Sequence, residues 1–435
     1  WLKPFCSPCP PPAALTVRGR PAMAPKPRRR TPTRTDDVPM SGEDPKACSP
    51  STSQAAAEAS DDGALDGRPP DETDNANYFC EYAYLYHQMD MLEDAHRTGS
   101  YYNAIMSNPS CFEDKVVLDV GAGSGILSII AARAGARLVY AVEATDMAQR
   151  ARRIIEHNGL GDKVRVLQGT VETVQLPCKV DVIVSEWMGY LLLRESMLDS
   201  VLVARDRFLK PGGSMFPSHA TLYLAPVAPL KALKDKWQTW EGERQHWNSF
   251  ASDMKNWYET DFGCVEAEFM KEQRKYYLQT GAFVNLTPKH LVGPGRPLME
   301  MDLLTVTIEE LKNPTEPLRC SMKVSRDGPI GGFAGYFNTA FRGSVASPVE
   351  EEVTLTTAPT VGTATHWGQQ LFGFYPELKS LKGDILEAEV YIRRQERNHR
   401  LLRLEATFSL YAAPANGSDK HGPLREQRSE HYFVD

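Results

Sequence analysis

Two glutamates, Glu186 and Glu195, are the side chains best spaced to do chemistry together. They stand nine residues apart, with Gly189 between them to let the chain double back. They follow a short apolar run, Val180 to Val184, of the kind that forms a buried parallel strand. Ligands of open α/β sheets gather at the carboxyl ends of such strands. Two carboxylates on facing arms of a hairpin can grip one guanidinium bidentately. A guanidinium stays protonated below a pKa of roughly 12. Acids crowding one pair of its nitrogens draw the positive charge there and leave the other terminal nitrogen more nucleophilic. By spacing alone, the two residues are equally well read as unrelated surface acids.

The elements that must position them begin upstream, in the stretch from Val116 to Glu143. An apolar strand (Val116 to Val120) runs into Gly121-Ala122-Gly123-Ser124-Gly125. A helical pattern from Ile126 to about Arg133 follows, and then a second apolar strand from Leu138 that ends in Glu143. This is half of a βαβ nucleotide-binding unit. Its glycines run G-x-G-x-G, with Asp119 two residues ahead of the first. A carboxylate at the mouth of the loop repels a diphosphate, which disfavours NAD, and suits a cationic nucleoside such as S-adenosylmethionine. Glu143 is then placed to accept from both ribose hydroxyls. Farther on, Val171-Glu172 follows a third strand, Val164 to Leu167. An acid at Glu172 reads either as a partner for an adenine amino group or as a solvated loop carboxylate.

The chain has 435 residues, 42% apolar and 24% charged, which is enough for two folded units. A net charge of -7 argues against direct nucleic-acid binding and is compatible with a cationic partner. No run reaches the ~18 apolar residues of a membrane span. The eight cysteines are scattered, so neither a metal site nor a disulfide framework is expected, and a reducing, intracellular setting is. Residues 1–74 differ in kind. They hold 14 of the 31 prolines, and charge is segregated between eight Lys/Arg up to residue 35 and eleven acids after it. Such a segment cannot bury enough apolar surface to fold and is expected to be a disordered tail. It begins at Trp1, and Met23 or Met40 are candidate starts. Its Lys26 to Arg30 run has the composition of a nuclear import patch or of a plain solvated basic stretch.

Order is expected from about Asn75. Tyr78, Tyr82, Leu85, Met89 and Leu92 recur at helical spacing and suit a lid, with Arg97 as a fork for a carboxylate. Ala148 to Asn158 and Met197 to Arg207 read as helices, and Leu209 to Gly213 as a turn. From Phe216 the pattern changes to strand alternation: Leu386, Ala388, Val390 and Ile392, then Leu402, Leu404, Ala406, Phe408 and Leu410. That implies a β-sandwich or barrel. Between the halves, Pro229 to Gly263 carries Trp237, Trp240, Trp247 and Trp257 at helical spacing. So much aromatic surface either meets a partner or folds back on its own domain. The late Thr365-His366-Trp367 triplet says little by itself.

Taken together, Tyr78-Phe79-x-x-Tyr82, the Val117 to Gly125 loop, Glu143, Ser185-Glu186-Trp187-Met188-Gly189-Tyr190 with Glu195-Ser196-Met197, and Thr365-His366-Trp367 resemble the protein arginine N-methyltransferases. The resemblance covers the chain from about Asn75 onward. It implies an α/β, Rossmann-like S-adenosylmethionine-dependent methyltransferase domain (113–215) behind an N-terminal helical lid (75–112). A β-barrel-like domain (216–435) would follow, with an inserted helical dimerisation arm at about 229–263 that builds a head-to-tail homodimer. By the same resemblance Glu186 and Glu195 are the family's paired catalytic acids, and His366 with Asp94 is a pair that holds the lid and assists proton removal. The cofactor would be held by Tyr82, Gln88, Arg97 (its carboxylate), Asp119, Gly121, Gly123, Glu143 (ribose), Val171, Glu172 (adenine) and Met197, with no metal. Met91 and Met197 match the class that makes monomethyl and then asymmetric dimethylarginine. Substrates would be Arg-rich tails of histones and RNA-associated proteins, in nucleus and cytoplasm. Many members have His where this chain has Gln88, which leaves His87 to point elsewhere. That departure and a long arm are similar to the family's plant-type branch.

Overall fold

A computed structural model describes residues 77–80, 82–396, 398–414 and 421–435. The segment 1–74 and its reading as a disordered tail lie outside the described residues. The expected lid is a pair of helices, α1 (Leu85–Glu93) and α2 (Ala95–Met106). Asp94 parts them and caps α2 by accepting from the Arg97 amide at 2.9 Å.

The parallel sheet has strands β1 (Val116–Val120), β2 (Leu138–Glu143), β3 (Val164–Gln168), β4 (Val180–Val184) and β5 (Leu209–Phe216), in the order β3-β2-β1-β4-β5. Every residue of β1 is buried, as the unbroken VVLDV run requires for a strand covered on both faces. The crossovers are helices α3 (Ile126–Arg133), α4 (Met147–His157) and α5 (Met197–Phe208). Strand order reverses between β1 and β4, which sets the ligand crevice at the carboxyl ends of that pair. The stretch read as a turn, Leu209 to Gly213, is instead the start of β5. Leu209 and Ser214 pair with Val180 and Val182, so residues 210–213 bulge outward, with Gly212 at φ +78°.

The second body consists of two antiparallel sheets. One holds β6 (His219–Val227), β7 (Ala282–Val284), β8 (Arg296–Asp302), β10 (Gly328–Gly343), β11 (Pro348–Thr356) and β12 (Gln369–Ser380). The other holds β9 (Leu318–Lys323), β13 (Ile385–Gln395), β14 (Asn398–Tyr411) and β15 (Leu424–Val434). Alternation along β13 and β14 points Leu386, Ala388, Val390, Leu404, Ala406 and Phe408 inward. Phe333 sits at the centre, stacked on Phe372 at 4.9 Å and touching Phe408 and Tyr432 from the facing sheet at 4.8 and 5.2 Å. A fully buried Asn108 joins this body to the lid. It donates to the Ala104 and Glu351 carbonyls and accepts from the Glu350 and Glu351 amides, all within 2.9 Å.

The arm is α6 (Lys231–Tyr258), 28 residues long. It does not end near Gly263 as expected. The chain reverses there, with Glu259 left-handed at φ +53°, and returns as α7 (Glu266–Arg274) and a π-turn to Gln279. The returning helix also covers part of the aromatic surface: Trp247 stacks on Phe269 at 4.5 Å, and Trp240 and Trp247 are buried. Trp257 and Tyr258 at the tip stay 66% exposed. No helix among the described residues is long and apolar enough to cross a membrane. No group of His, Cys, Asp and Glu among them could hold a metal ion.

Candidate active site

The glycine loop leaves β1 at the switch point, with Gly121, Gly123 and Gly125 all at positive φ. Two neighbours close over it. A Cβ on Gly121 would lie 2.4 Å from Met197 Cε, and one on Gly123 would lie 2.6 Å from Gln88 Oε1. The buried Gln88 accepts from the Ser124 amide at 3.1 Å and donates to the Tyr82 carbonyl at 3.2 Å, so it ties the lid to the loop. His87 turns the other way and packs edge-on against the Tyr82 ring at 5.1 Å. Glu143 ends β2 and accepts from the Gly123 and Thr145 amides, both at 2.8 Å.

Asp119 is buried in β1. Its Oδ2 accepts from Ser128 at 2.6 Å, while Oδ1 is buried with no hydrogen-bond partner. Burial pushes its carboxyl up to about 7, against the lowering by Ser128. A buried carboxylate oxygen without a donor, under a loop that only glycines can form, fits a cationic ligand such as the sulfonium and ammonium of S-adenosylmethionine. Glu172 is exposed and accepts from Ser200 of α5 at 2.7 Å, while Val171 beside it is buried, its carbonyl accepting from Arg207.

The structure places the acid hairpin directly after β4. Four non-glycine residues, Leu191, Leu192, Glu195 and Ser196, take positive φ here, a strained backbone that outside contacts must hold. Glu186 Oε2 accepts from Arg97 Nε at 3.0 Å and Nη2 at 2.6 Å, and Oε1 accepts from the Met188 amide. Arg97 was expected on the cofactor's carboxylate. Here its third nitrogen, Nη1, donates to the Met91 carbonyl at 3.0 Å, so its fork is turned to Glu186. Burial lowers the Arg97 pKa, and the Glu186 charge and hydrogen bonds more than reverse that. Glu195 Oε2 accepts from the Tyr82 hydroxyl at 2.8 Å. Burial, and then the Glu195 charge, hold that phenol well above its ordinary pKa, so it stays a donor.

Asp94 and His366 meet across 272 residues. Asp94 Oδ2 accepts from His366 Nδ1 at 2.7 Å and from the His366 amide at 2.9 Å. Burial raises the Asp94 carboxyl, but the bonds from His366 and the Arg97 amide overcome it and hold it at about 2. Trp367 donates its indole N–H to the Met188 carbonyl at 2.9 Å, so the triplet also fixes the acid hairpin. The far end of that hairpin rests on β14. The Glu195 amide donates to the Arg400 carbonyl at 2.7 Å, and Ser196 Oγ donates to the His399 carbonyl at 2.5 Å. Sequence reasoning did not find Ser128, Arg400 or His399. Ser128 is one small residue in an apolar helix, and Arg400 lies in a charged turn, RRQERNHR, that reads as solvated surface.

A parallel sheet with a glycine loop at its switch point, an acid closing the second strand and a cation-seeking Asp119 defines an S-adenosylmethionine-dependent methyltransferase. Residues 117–213 match a methyltransferase domain, and residues 218–412 match the arginine methyltransferase oligomerization subdomain. Protein arginine N-methyltransferase PRMT10 of Oryza sativa subsp. japonica is 45% identical over 82% of this chain and 93% of its own. The protein of that name from Arabidopsis thaliana is 42% identical over 84% and 93%. Among solved structures, that of Arabidopsis thaliana protein arginine methyltransferase 10 matches with a TM-score of 0.78 at 43% identity, over 82% of this chain and all of the other. The Trypanosoma brucei PRMT1 enzyme-prozyme complex with AdoHcy matches with a TM-score of 0.66 at 29% identity, over 82% and all of that chain. The chain belongs to the protein arginine N-methyltransferases. Within that family it sides with the plant-type branch numbered ten.

Proposed function

We propose that the protein makes monomethylarginine and then asymmetric dimethylarginine on Arg-rich tails of proteins such as histones and RNA-associated factors, in nucleus and cytoplasm. The observation that carries the reading is the placement of Glu186 and Glu195 on one strained hairpin at the end of β4, next to the glycine loop of β1. S-Adenosylmethionine, when bound, supplies a methyl group already activated on sulfonium, so the protein's work is alignment and electrostatics.

Gln88, Glu143, Asp119 and Met197 line the loop that would hold it. Glu186, once Arg97 turns from it to the cofactor's carboxylate, and Glu195 receive the substrate guanidinium and draw its charge to the nitrogens they face. The donor would keep the bonding pair on its sulfur, and the guanidinium nitrogen that takes the methyl would lose one proton. Asp94 is ionised at neutral pH and orients His366 through Nδ1, which leaves Nε2 as the imidazole atom to take that proton. The resemblance, in which Met91 and Met197 match the class that makes asymmetric product, supports that outcome. The exposed Trp257 and Tyr258 at the arm tip, with the oligomerization-subdomain match, support a homodimer through the arm.

Mass spectrometry of an Arg-rich peptide after reaction tests the reading, since the two dimethyl isomers differ in neutral loss. Wild type should give monomethyl and asymmetric dimethyl product and Glu186→Gln neither. Symmetric product, or full activity in Glu186→Gln, would refute it.

A further inference from the structure

Arg400 makes contacts that the family resemblance does not explain. Its guanidinium lies 3.7 Å from the centroid of the Tyr78 ring and 5.7 Å from that of Phe79, and Nη1 donates to the Glu195 carbonyl at 3.0 Å. Its own carbonyl accepts the Glu195 amide, so one residue of β14 brackets the backbone of Glu195 from both sides. The Tyr78 ring meets the Tyr82 ring at 4.9 Å, and the Tyr82 hydroxyl donates to the Glu195 carboxylate. These contacts form a closed circuit, Arg400 to Tyr78 to Tyr82 to Glu195 and back. It joins the segment ahead of α1, the acid hairpin and the β13–β14 turn.

We propose that Arg400 is a positioning residue that couples the ordering of the Tyr78–Tyr82 segment to the placement of Glu195, so that lid and acid hairpin are set as one unit. The physical case rests on Glu195 itself, whose φ of +82° is disfavoured and needs external restraint. Backbone bonds from Arg400 fix where the residue sits, and the phenol of Tyr82 fixes where its carboxylate points. The phenol is in turn held by a ring that the guanidinium covers. Desolvated cation–π contacts are among the stronger of their kind. Removing the guanidinium therefore loosens the carboxylate through the tyrosines as well as directly. Arg400 acts through these neighbours and does not itself touch the reacting atoms.

The activity arm of the test rests on Glu195 as an acid that holds substrate; the exchange arm does not. In full-length protein, Arg400→Met should lower kcat/KM for an Arg-rich peptide at least tenfold, raise the KM for S-adenosylmethionine by a smaller factor through the Tyr82–Gln88 tie, and raise hydrogen exchange across residues 77–80 and 82. Arg400→Lys keeps a cation over the ring and a donor for the carbonyl, so it should recover a substantial part of both losses. Tyr78→Leu cuts the circuit from the other end without touching the barrel, and the double variant should be no worse than the worse single one. Unchanged exchange at those residues in both Arg400→Met and Tyr78→Leu would overturn the coupling, as would strictly multiplicative losses in the double variant. Full activity in Glu195→Gln would instead overturn the functional reading, and the exchange data would still decide the coupling.

Discussion

Asp94→Asn tests the link between lid and barrel in its simplest form. The Asp94 carboxylate accepts three bonds, one from the Arg97 amide and two from His366, and its side chain is only 4% exposed. Those bonds hold its pKa at about 2 against a reference of 3.8. At ~1.4 kcal/mol per unit, the ionised form is favoured in the folded protein by about 2 to 3 kcal/mol. Asparagine caps helices about as well as aspartate, so the bond to the Arg97 amide survives the change. What is lost is the charge-assisted tie to His366, on the order of 1 to 2 kcal/mol, or roughly 5- to 30-fold in the opening of the lid. Hydrogen exchange across α1 and the first turn of α2 should accelerate by that factor, and kcat/KM for peptide should fall by a similar one. Because the folded pKa lies below the unfolded one, the wild-type contribution is full above about pH 4 and is lost as pH falls through about 2. The difference between variant and wild type should therefore vanish in acid. Equal exchange in α1 for the two proteins at pH 7 would refute the reasoning.

Burial holds Asp119 at about 7, so its folded pKa is raised and wild-type stability falls as pH climbs from about 4 through 7. Asp119→Asn should raise the melting temperature at pH 8, not at pH 4, and should weaken S-adenosylmethionine in calorimetric titration. In wild type that titration should release protons near pH 6.5, since a cation beside Asp119 lowers its pKa. Gly123→Ala forces a side chain into φ +53° and against Gln88; it should cost about 1 to 2 kcal/mol or more in chemical denaturation and weaken the cofactor at least tenfold. Serine at both Trp257 and Tyr258 should leave the fold intact by circular dichroism and shift sedimentation from dimer to monomer.

The local pieces of the site were legible because their signals are local. A buried apolar run, a glycine loop and an acid at a strand end announce β1, β2 and the crevice within thirty residues. The barrel strands were legible for the same reason, through alternation at β13 and β14. What the residues alone left open was pairing at a distance. By spacing Glu186 and Glu195 read equally as unrelated surface acids, and it was the resemblance that paired them; their partners Tyr82, Arg97 and Arg400, which lie 113, 89 and 205 residues away, only the fold brings up. The arm shows another limit. The aromatic spacing of 229–263 marks one helix, whereas the reversal falls at Glu259, a non-glycine residue with no local signal, and the returning helix is recognised only by the stacking of Trp247 on Phe269. Likewise, Lys-Pro-Gly-Gly has the composition of a turn, and pairing with β4 makes it a bulge within a strand.

The bond between the Glu195 amide and the Arg400 carbonyl also bears on how the protein is made. During synthesis, the parallel sheet and its glycine loop leave the ribosome roughly 200 residues before the strand that braces Glu195, on the order of tens of seconds at common elongation rates. Over that interval a nascent chain can shape a donor site while its acceptor hairpin lacks its brace. The enzyme is thus armed by its own completion. A product truncated between β5 and β14 would carry the glycine loop and both acids but lack the Arg400 carbonyl that braces Glu195.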